Sequence, residues 1–275
     1  MGEKKYLIVI TRILLIVGFF AFWECSARLQ LYNPLFTSYP SEIIKDLVKF
    51  YRSGDLAKHA SVTLTEAFMG LFYGTIIGVL AGLILGQFNT LGKILLPIVT
   101  AINGIPQLTL APVYILWFGL GITSKIFLAG IMVFFNVFFP TYASVQNVAP
   151  NLTESAILLG AGKIKTIAHV ILPSSMPVIL SGIRAGVGSS MVGAIIGEYI
   201  GASAGFGWMI AYATSFFNIK RVMSCIFILL VVGIFLNFFL DKIEKYLLRW
   251  RAPTNSFMEH KKHMTNKNLK IRGEK

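Results

Sequence analysis

Charged residues are scarce in this 275-residue chain: Asp, Glu, Lys and Arg together make up 13% of the sequence, against 55% hydrophobic residues. Only 12 residues are acidic and 25 are basic, which gives a formal net charge of +13. The mean hydropathy of +0.71 is too high for a soluble domain and predicts several membrane spans. Nucleic-acid binding is not favoured, because much of the positive charge lies in loops and in the tail after Asp241, as in cytoplasmic flanks of membrane proteins.

Cysteine and catalytic signatures are also rare. Cys25 and Cys225 lie far apart near apolar segments, so no disulfide framework is indicated. The pair Gly162–Lys163 lacks the preceding glycine and the following Ser or Thr of a phosphate-binding loop, since Ile157 and Ile164 stand at those places. No HExxH motif or Ser-His-Asp arrangement is apparent, and no metal site is predicted. The chain is therefore not expected to be an enzyme.

Six apolar runs are long enough to cross the hydrocarbon core of a bilayer. The first resembles a signal sequence but is followed by no small-x-small cleavage site, so we expect an uncleaved anchor. Between the first two runs, Pro40-Ser41-Glu42 opens an amphipathic helix that Gly54-Asp55 closes. The six predicted spans are Leu7–Trp23, Val62–Gly86, Ile94–Phe118, Ile126–Val145, Val178–Ile200 and Val222–Leu240.

The distribution of Lys and Arg predicts the orientation of these spans. Basic residues are more frequent in the segments that a cytoplasmic N-terminus would place inside, with the Lys-rich tail dominating the sum. Both termini are therefore expected in the cytoplasm. The polar interruption between the fourth and fifth spans then lies in the cytoplasm as well.

That interruption has its own local structure. Asn151 followed by Glu154 predicts a helix N-cap with its capping-box partner. Gly160 and Gly162 are expected to end this helix, and Pro173 to stop a second short helix after them. Two short helices joined by a glycine corner would form a rigid protruding knob (residues 150–173), which is suited to docking another protein.

The knob also carries a family resemblance. Glu154, Ala156, Gly160 and, after a gap of nine residues, Val170-x-Leu172-Pro173 resemble the EAA loop of ABC (ATP-binding cassette) importer permeases, with Ser155 replacing an Ala and Val170 an Ile. An amphipathic helix pair lying on the bilayer is the less favoured alternative. The resemblance implies that the knob sits in a groove of a cytoplasmic ATPase. The residues implied in this coupling are Leu152, Glu154, Ser155, Ala156, Leu159, Gly160, Ala161, Gly162, Leu172 and Pro173.

Glycine recurs at every fourth place in the second span, which keeps the stripe on one helix face and lets a neighbouring backbone approach closely. Helices packed in this way can pivot as bodies, although static packing is an equally good interpretation of any single glycine. A similar stripe begins at Ser189 in the fifth span. The helix-packing residues predicted for the second span are Gly70, Gly74, Gly78, Gly82 and Gly86.

The third span contains Pro106 and Pro112, which should break the helix and free backbone carbonyls that can line a pathway. Pro112-x4-Trp117-Phe-Gly-x-Gly121 resembles permeases of the branch that carries nitrate, sulfonate, taurine and related small anions. This branch also includes bicarbonate and thiamine-precursor systems. Pro106, Pro112 and Trp117 are predicted to belong to the translocation pathway or its gate.

Charged residues within spans are costly and mark functional candidates. Arg184 and Glu198 are assigned to the pathway or gate; fourteen residues of helix separate them by about 21 Å, so they should not pair. Arg184 could instead snorkel to the cytoplasmic surface. Glu66 stands where the resembled family often has arginine, and a solvated helix start is the favoured interpretation. The three are expected at different depths.

Together these features predict an all-α integral membrane protein with six transmembrane helices, and the resemblance implies the type I (MetI-like) importer permease fold. Its expected parts are an N-terminal anchor (1–24), an extracytoplasmic amphipathic segment (25–60), the permease domain (61–250, with the coupling loop 150–173) and a basic cytoplasmic tail (251–275).

The resemblance implies a homodimer in the lipid bilayer with an ABC ATPase and an extracytoplasmic substrate-binding protein. The chain itself would bind no cofactor, and the ATPase would use ATP and Mg. The expected substrate is a small anion of the sulfonate, taurine or nitrate type. The alternatives are a thiamine-precursor-like nutrient and, less favoured, a secondary transporter, which would need inverted repeats or a mid-membrane carboxylate cluster. A membrane-embedded enzyme would need convergent polar side chains, which the sequence does not indicate.

Overall fold

The computed structural model describes residues 2–31 and 37–249 of the chain, and the predicted tail 251–275 lies outside the described residues. Within the described part the chain is helical. A 3-10 turn (Gln107–Leu110) and a π turn (Ile167–Ile171) interrupt its α-helices. The α-helices are α1 (Gly2–Arg28), α2 (Pro40–Arg52), α3 (Asp55–Gln87), α4 (Asn89–Asn103), α5 (Ala111–Phe118), α6 (Ile122–Gln146), α7 (Pro150–Leu158), α8 (Lys163–Thr166), α9 (Leu172–Gly201), α10 (Phe206–Ser215) and α11 (Ile219–Leu247).

Five of the described helical segments are long and apolar enough to cross a membrane: α1, α3, α6, the run Lys163–Gly201 and α11. A sixth span results if α4 and Gln107–Phe118, which meet at an angle of 77°, are taken together. The prediction of six spans is therefore confirmed, with the third span broken.

The chain forms two compact units, Met1–Asn237 and Phe238–Lys275. The first contains α1 to α10 and the larger part of α11. In its described part, the second consists of the last turns of α11, where the Lys242 ammonium lies 4.8 Å from the centre of the Phe238 ring. The functional features below all belong to the first unit.

The centre of the first unit is α6, which packs between α3 and α9. The five glycines of the α3 stripe are all buried and face α6. A methyl group placed on Gly82 would lie 2.7 Å from Cβ of Thr141, and one on Gly86 would lie 2.7 Å from Cβ of Val145. Both distances are far below van der Waals contact, so the two backbones approach to a distance that no side chain on α3 would permit.

Helix α9 approaches α6 in the same way. A methyl group on Gly193 would lie 2.6 Å from Cα of Ala129, and one on Gly182 would lie 2.8 Å from the carbonyl oxygen of Asn136. In the same pair of helices, the Asn136 side chain donates a 2.7 Å hydrogen bond to the Ser189 hydroxyl. Helix α6 is thus held between two glycine-rich faces.

The amphipathic helix α2 begins at Pro40 and ends before Gly54, whose φ of +79° reverses the chain, as the sequence predicts. Its first turn is held by α1. The Glu24 carboxylate accepts hydrogen bonds from the backbone N–H and the hydroxyl of Ser41, at 3.0 and 2.8 Å. The anchor helix α1 therefore supplies the N-cap that Tyr39 does not provide.

The prediction that Asn151 caps the first knob helix is wrong. Helix α7 begins one residue earlier, at Pro150, and its N-cap residue, Ala149, makes no side-chain capping bond. Proline is favoured at the first helical position because its fixed φ suits the helix and its missing N–H would have no partner there. The predicted glycine corner is confirmed, since Gly160 has a φ of +84°.

The prediction that Pro173 stops the second knob helix is also wrong. The chain continues without interruption from α8 through the π turn Ile167–Ile171 into α9, so Lys163–Gly201 is one run of 39 residues. Pro173 falls in the first turn of α9, directly after the π turn. A proline is tolerated there because a π turn has already shifted the helical hydrogen-bond register.

Candidate functional site

The tip of the knob presents apolar side chains to the surroundings. Leu158 and Leu159 are 87% and 89% exposed, and Ile164 across the glycine corner is 83% exposed. Backbone hydrogen bonds from Gly160 to Ile157 and from Ala161 to Ala156, at 2.9 and 3.0 Å, close the corner and fix its shape. A rigid corner with exposed leucine and isoleucine side chains is typical of a protein-docking surface.

The residues predicted to couple to an ATPase fall into two groups. From Leu152 to Gly162 they are exposed or half-exposed on α7 and the glycine corner, whereas Leu172 and Pro173 are half-buried in the first turn of α9. The second group therefore lies at the root of the knob, where it continues into the membrane helix.

One side chain, Gln107, forms hydrogen bonds with backbone carbonyl groups at the break in the third span. The amide nitrogen of Gln107 donates 3.0 Å hydrogen bonds to the carbonyl oxygens of Ile102 and Ile105, and its oxygen accepts a 2.9 Å bond from the Tyr114 hydroxyl. Two of the carbonyls that the break exposes are thus occupied. Gln107 is buried, whereas Pro106, Pro112 and Trp117 are exposed.

A buried polar cluster forms where α3, α6, α9 and the start of α10 meet. The first backbone N–H groups at α10 are bonded by side chains from other helices: Gly205 donates to Nδ1 of His59 at 3.0 Å, Phe206 to the Thr63 hydroxyl oxygen at 2.8 Å and Gly207 to the Glu198 carboxylate at 2.6 Å. Helix starts leave such donors without intrahelical partners. Here α3 and α9 together provide the cap.

Glu198 is the centre of this cluster. It is fully buried, and its second carboxylate oxygen accepts a 2.6 Å hydrogen bond from the Thr63 hydroxyl. The positive end of the α10 dipole faces the same carboxylate. Glu198, predicted for the pathway or gate, is therefore a buried link between α3, α9 and α10 in this conformation.

Lys125 lies in the first turn of α6, and the structure places it inside the protein at 1% exposure. Its ammonium group donates to the carbonyl oxygens of Leu120, Gly121 and Gly201. It thereby ties the start of α6 to the end of α9. Gly197 makes room for its stem, since a methyl group there would lie 2.9 Å from Cγ of Lys125.

The expectation that Glu66 is a solvated helix start is wrong. Its side chain is 2% exposed and points into the same cluster, where it contacts Glu198. The expectation that the charged residues of the spans lie at different depths is therefore wrong for this pair, although Arg184 lies elsewhere on α9 and is exposed. Sequence alone gave no signal for the meeting of Thr63, Glu66 and Lys125, because it is made by tertiary packing.

The family model described as "Binding-protein-dependent transport system inner membrane component" matches residues 74–250. The chain belongs to this family. The match includes the broken third span, the knob, α9 and α10, whereas Thr63 and Glu66 precede it. The protein is accordingly a permease component of an ABC importer, integral to the membrane and crossing it several times.

Three relatives are similar to the permease over most of its length. It is 31% identical over 231 residues to SsuC of Bacillus subtilis (strain 168), a permease protein named for aliphatic sulfonates transport, with 84% of each chain covered. It is 30% identical to the taurine transport system permease protein TauC of Escherichia coli (strain K12), covering 84% of this chain and 86% of TauC. The formylaminopyrimidine transport permease protein ThiX of Halalkalibacterium halodurans is 30% identical, with 83% and 91% covered.

Among solved structures, the permease is similar to a chain of the MetNI methionine ABC transporter in inward-facing conformations. The TM-score is 0.62 at 19% identity, and the similarity covers 70% of this chain and 95% of the other. At this identity the likeness shows the fold alone. The prediction of a MetI-like permease fold is confirmed.

Proposed function

We propose that this permease forms, as a homodimer, the translocation pathway of an importer that is driven by a separate cytoplasmic ATPase and supplied by an extracytoplasmic substrate-binding protein. ATP and Mg would be used by the ATPase, because the chain carries no phosphate-binding loop. The N- and C-termini and the knob would lie in the cytoplasm, as the distribution of basic residues suggests.

The observation that carries this proposal is the exposed apolar tip of the knob. Leucine side chains that are nearly nine-tenths exposed are costly in water and are stabilised when a partner covers them. The knob also continues without a break into α9, so force applied to its tip reaches the membrane helix directly. A groove on an ATPase is the partner that this geometry fits.

The proposed substrate class is a small anion with a sulfonate group. Support comes from SsuC and TauC, which are named for sulfonate and taurine transport and resemble the permease over more than four-fifths of its length. ThiX is nearly as similar and is named for a formylaminopyrimidine, which makes a thiamine-precursor-like nutrient the second candidate. Arg184, exposed on α9, together with Pro106, Pro112 and Trp117, remains the proposed pathway set.

Docking is tested by cysteine crosslinking in membranes that contain the partner ATPase. Cys25 is exposed and is replaced by Ser, whereas Cys225 is buried and stays. A cysteine at Leu159 should crosslink to cysteines placed along the ATPase groove, and a cysteine at the exposed Lys93 on α4 should not. The docking proposal fails if Leu159→Cys gives no crosslink, or no more than Lys93→Cys.

The substrate class is tested separately on the substrate-binding protein. Its thermal unfolding is measured with taurine, with longer alkanesulfonates and with formylaminopyrimidine. A stabilisation by sulfonates alone supports the first candidate, and a stabilisation by the pyrimidine alone replaces it with the second. Neither result affects the docking proposal, which has its own readout.

A further inference from the structure

The side chains of Glu66 and Glu198 lie close enough inside the protein to interact with each other. Both side chains are nearly inaccessible, at 2% and 0% exposure. An ionised carboxylate only accepts hydrogen bonds, so two ionised carboxylates have no donor with which to bond each other. A proton on one of the two carboxyl groups would supply that donor.

The donors around Glu198 identify it as the ionised member of the pair. Its two oxygens accept hydrogen bonds from the Thr63 hydroxyl and from the Gly207 N–H, both at 2.6 Å. It also faces the N-terminus of the ten-residue helix α10. Each of these interactions stabilises a negative charge.

The donors around Glu66 are few by comparison. Its Oε2 atom is buried and makes no hydrogen bond to any donor in the described part of the protein. Lys125 does not supply one, because an ammonium has three N–H groups and all three are directed at the carbonyl oxygens of Leu120, Gly121 and Gly201. A negative charge on Glu66 would thus be buried without a hydrogen-bonded partner.

The other titratable groups facing the pair do not change this balance. His59 on α3 accepts the Gly205 N–H at its Nδ1 atom and stacks on the Trp208 ring, with ring centres 5.3 Å apart, so it is held as the neutral imidazole. Helix α6 contributes Lys125 and α10 contributes backbone N–H groups. One buried ammonium against two carboxyl groups leaves the cluster neutral only when one carboxyl is protonated.

We propose that Glu66 and Glu198 form a proton-binding site, in which Glu66 is a neutral carboxylic acid whose O–H donates to the ionised Glu198. The proton takes the place of the donor that Oε2 of Glu66 lacks. It converts a repulsive contact between α3 and α9 into a hydrogen bond next to the start of α10. The proposal is independent of which solute the permease carries.

Infrared spectroscopy of the permease in lipid vesicles tests the proposal directly. At neutral pH the wild type should show the carbonyl stretch of a buried, protonated carboxylic acid. Glu66→Gln should abolish this band, whereas Glu154→Gln, which removes an exposed carboxylate on the knob, should leave it unchanged. A wild-type spectrum without the band, or a band that survives in Glu66→Gln, overturns the proposal.

The dependence of stability on pH is a second, independent test. Because the folded protein would hold a proton that the unfolded chain releases above about pH 4, the wild-type unfolding temperature should fall as pH rises from there until the folded protein releases the proton too. Glu66→Gln keeps the donor without the titration, so it should match the wild type near pH 4, lose that slope and be the more stable of the two at neutral and alkaline pH. An unchanged slope in Glu66→Gln overturns the proposal. Should that variant fail to fold, loss of the wild-type infrared band at alkaline pH decides the matter.

Discussion

The Arg221 guanidinium forms two hydrogen bonds with the Asp46 carboxylate, at 2.8 and 3.1 Å. It also lies 4.1 Å from the centre of the Phe50 ring. Both charged side chains are less than one-fifth exposed. One residue at the start of α11 thus fixes the amphipathic helix α2 by a planar, two-point contact and by a ring contact at once.

Arg221→Lys should therefore loosen α2, because a lysine offers a point charge and cannot reproduce the planar two-point contact. We expect a loss on the order of 1–2 kcal/mol, seen as roughly tenfold faster hydrogen exchange of the α2 amides. Lys45→Gln, which removes an exposed ion pair of the same helix with Glu42, is the control and should change little. Equal effects of the two substitutions would refute this account of Arg221.

The Glu42 carboxyl should make the attachment of α2 to the rest of the protein depend on pH. Hydrogen bonds from Lys220 and then from Lys45 hold the pKa of the Glu42 carboxyl below its usual value. A lowered folded-state pKa means that this stabilisation is complete above about pH 5 and is lost as pH falls through the folded-state pKa. The unfolding temperatures of wild type and Glu42→Gln should differ at neutral pH and converge in strong acid. Curves that stay parallel would show that Glu42 contributes nothing.

Gly82→Ala should separate α3 from α6, since the added methyl group would lie 2.7 Å from Cβ of Thr141. We expect a destabilisation of about 1–3 kcal/mol, measured by thermal unfolding in detergent. Gly188→Ala on α9 is the matched control: it has no atom within 4 Å of the new methyl group and should be neutral or slightly stabilising. Similar losses in both variants would mean that the close approach is not what matters.

Gln107→Leu should disturb the break in the third span. It removes both hydrogen bonds to the carbonyl oxygens of Ile102 and Ile105, each of which contributes about 0.5–1.5 kcal/mol. Tyr114→Phe removes only the bond to the Gln107 oxygen and should cost less. Both are measured by thermal unfolding and by ATP-dependent uptake. The interpretation fails if Tyr114→Phe is the more damaging change.

Gly207→Ala should weaken the junction between α9 and α10. The new methyl group would overlap the backbone carbonyl oxygen of Ile195 and would lie 2.8 Å from Cβ of Glu198. Helix α9 and the Glu198 carboxylate would both have to move away from the start of α10, with a loss of about 1–3 kcal/mol in thermal unfolding. Gly233→Ala, in α11 with open space around it, is the control. An unfolding temperature unchanged in Gly207→Ala would show that the junction tolerates movement.

The spans, the break in the third span and the glycine corner of the knob were predictable because each follows from a local property: apolar length, proline or glycine. The helix limits at Asn151 and Pro173 were not. Pro150 is itself favoured as a first helical residue, so α7 begins there. The π turn directly before α9 lets the helix continue through Pro173, the residue that was expected to end it.

The buried cluster could not be predicted for a different reason. Thr63 and Glu198 are 135 residues apart, and their contact depends on how α3 and α9 pack around α6. No sequence signal marks Lys125 as buried. Only the packing shows that its charge is enclosed by carbonyl groups at the end of α9.

The unbroken helix from Lys163 to Gly201 has a mechanical consequence. At 1.5 Å per residue its 39 residues extend over about 58 Å. One end begins at the exposed corner of the knob, and the other ends at the carbonyl that Lys125 holds. In a rod of this length, a tilt of about 5° about one end moves the other end by about 5 Å. A helix that moves as one such rod would be a lever arm, converting a small rotation at one end into a residue-sized displacement at the other.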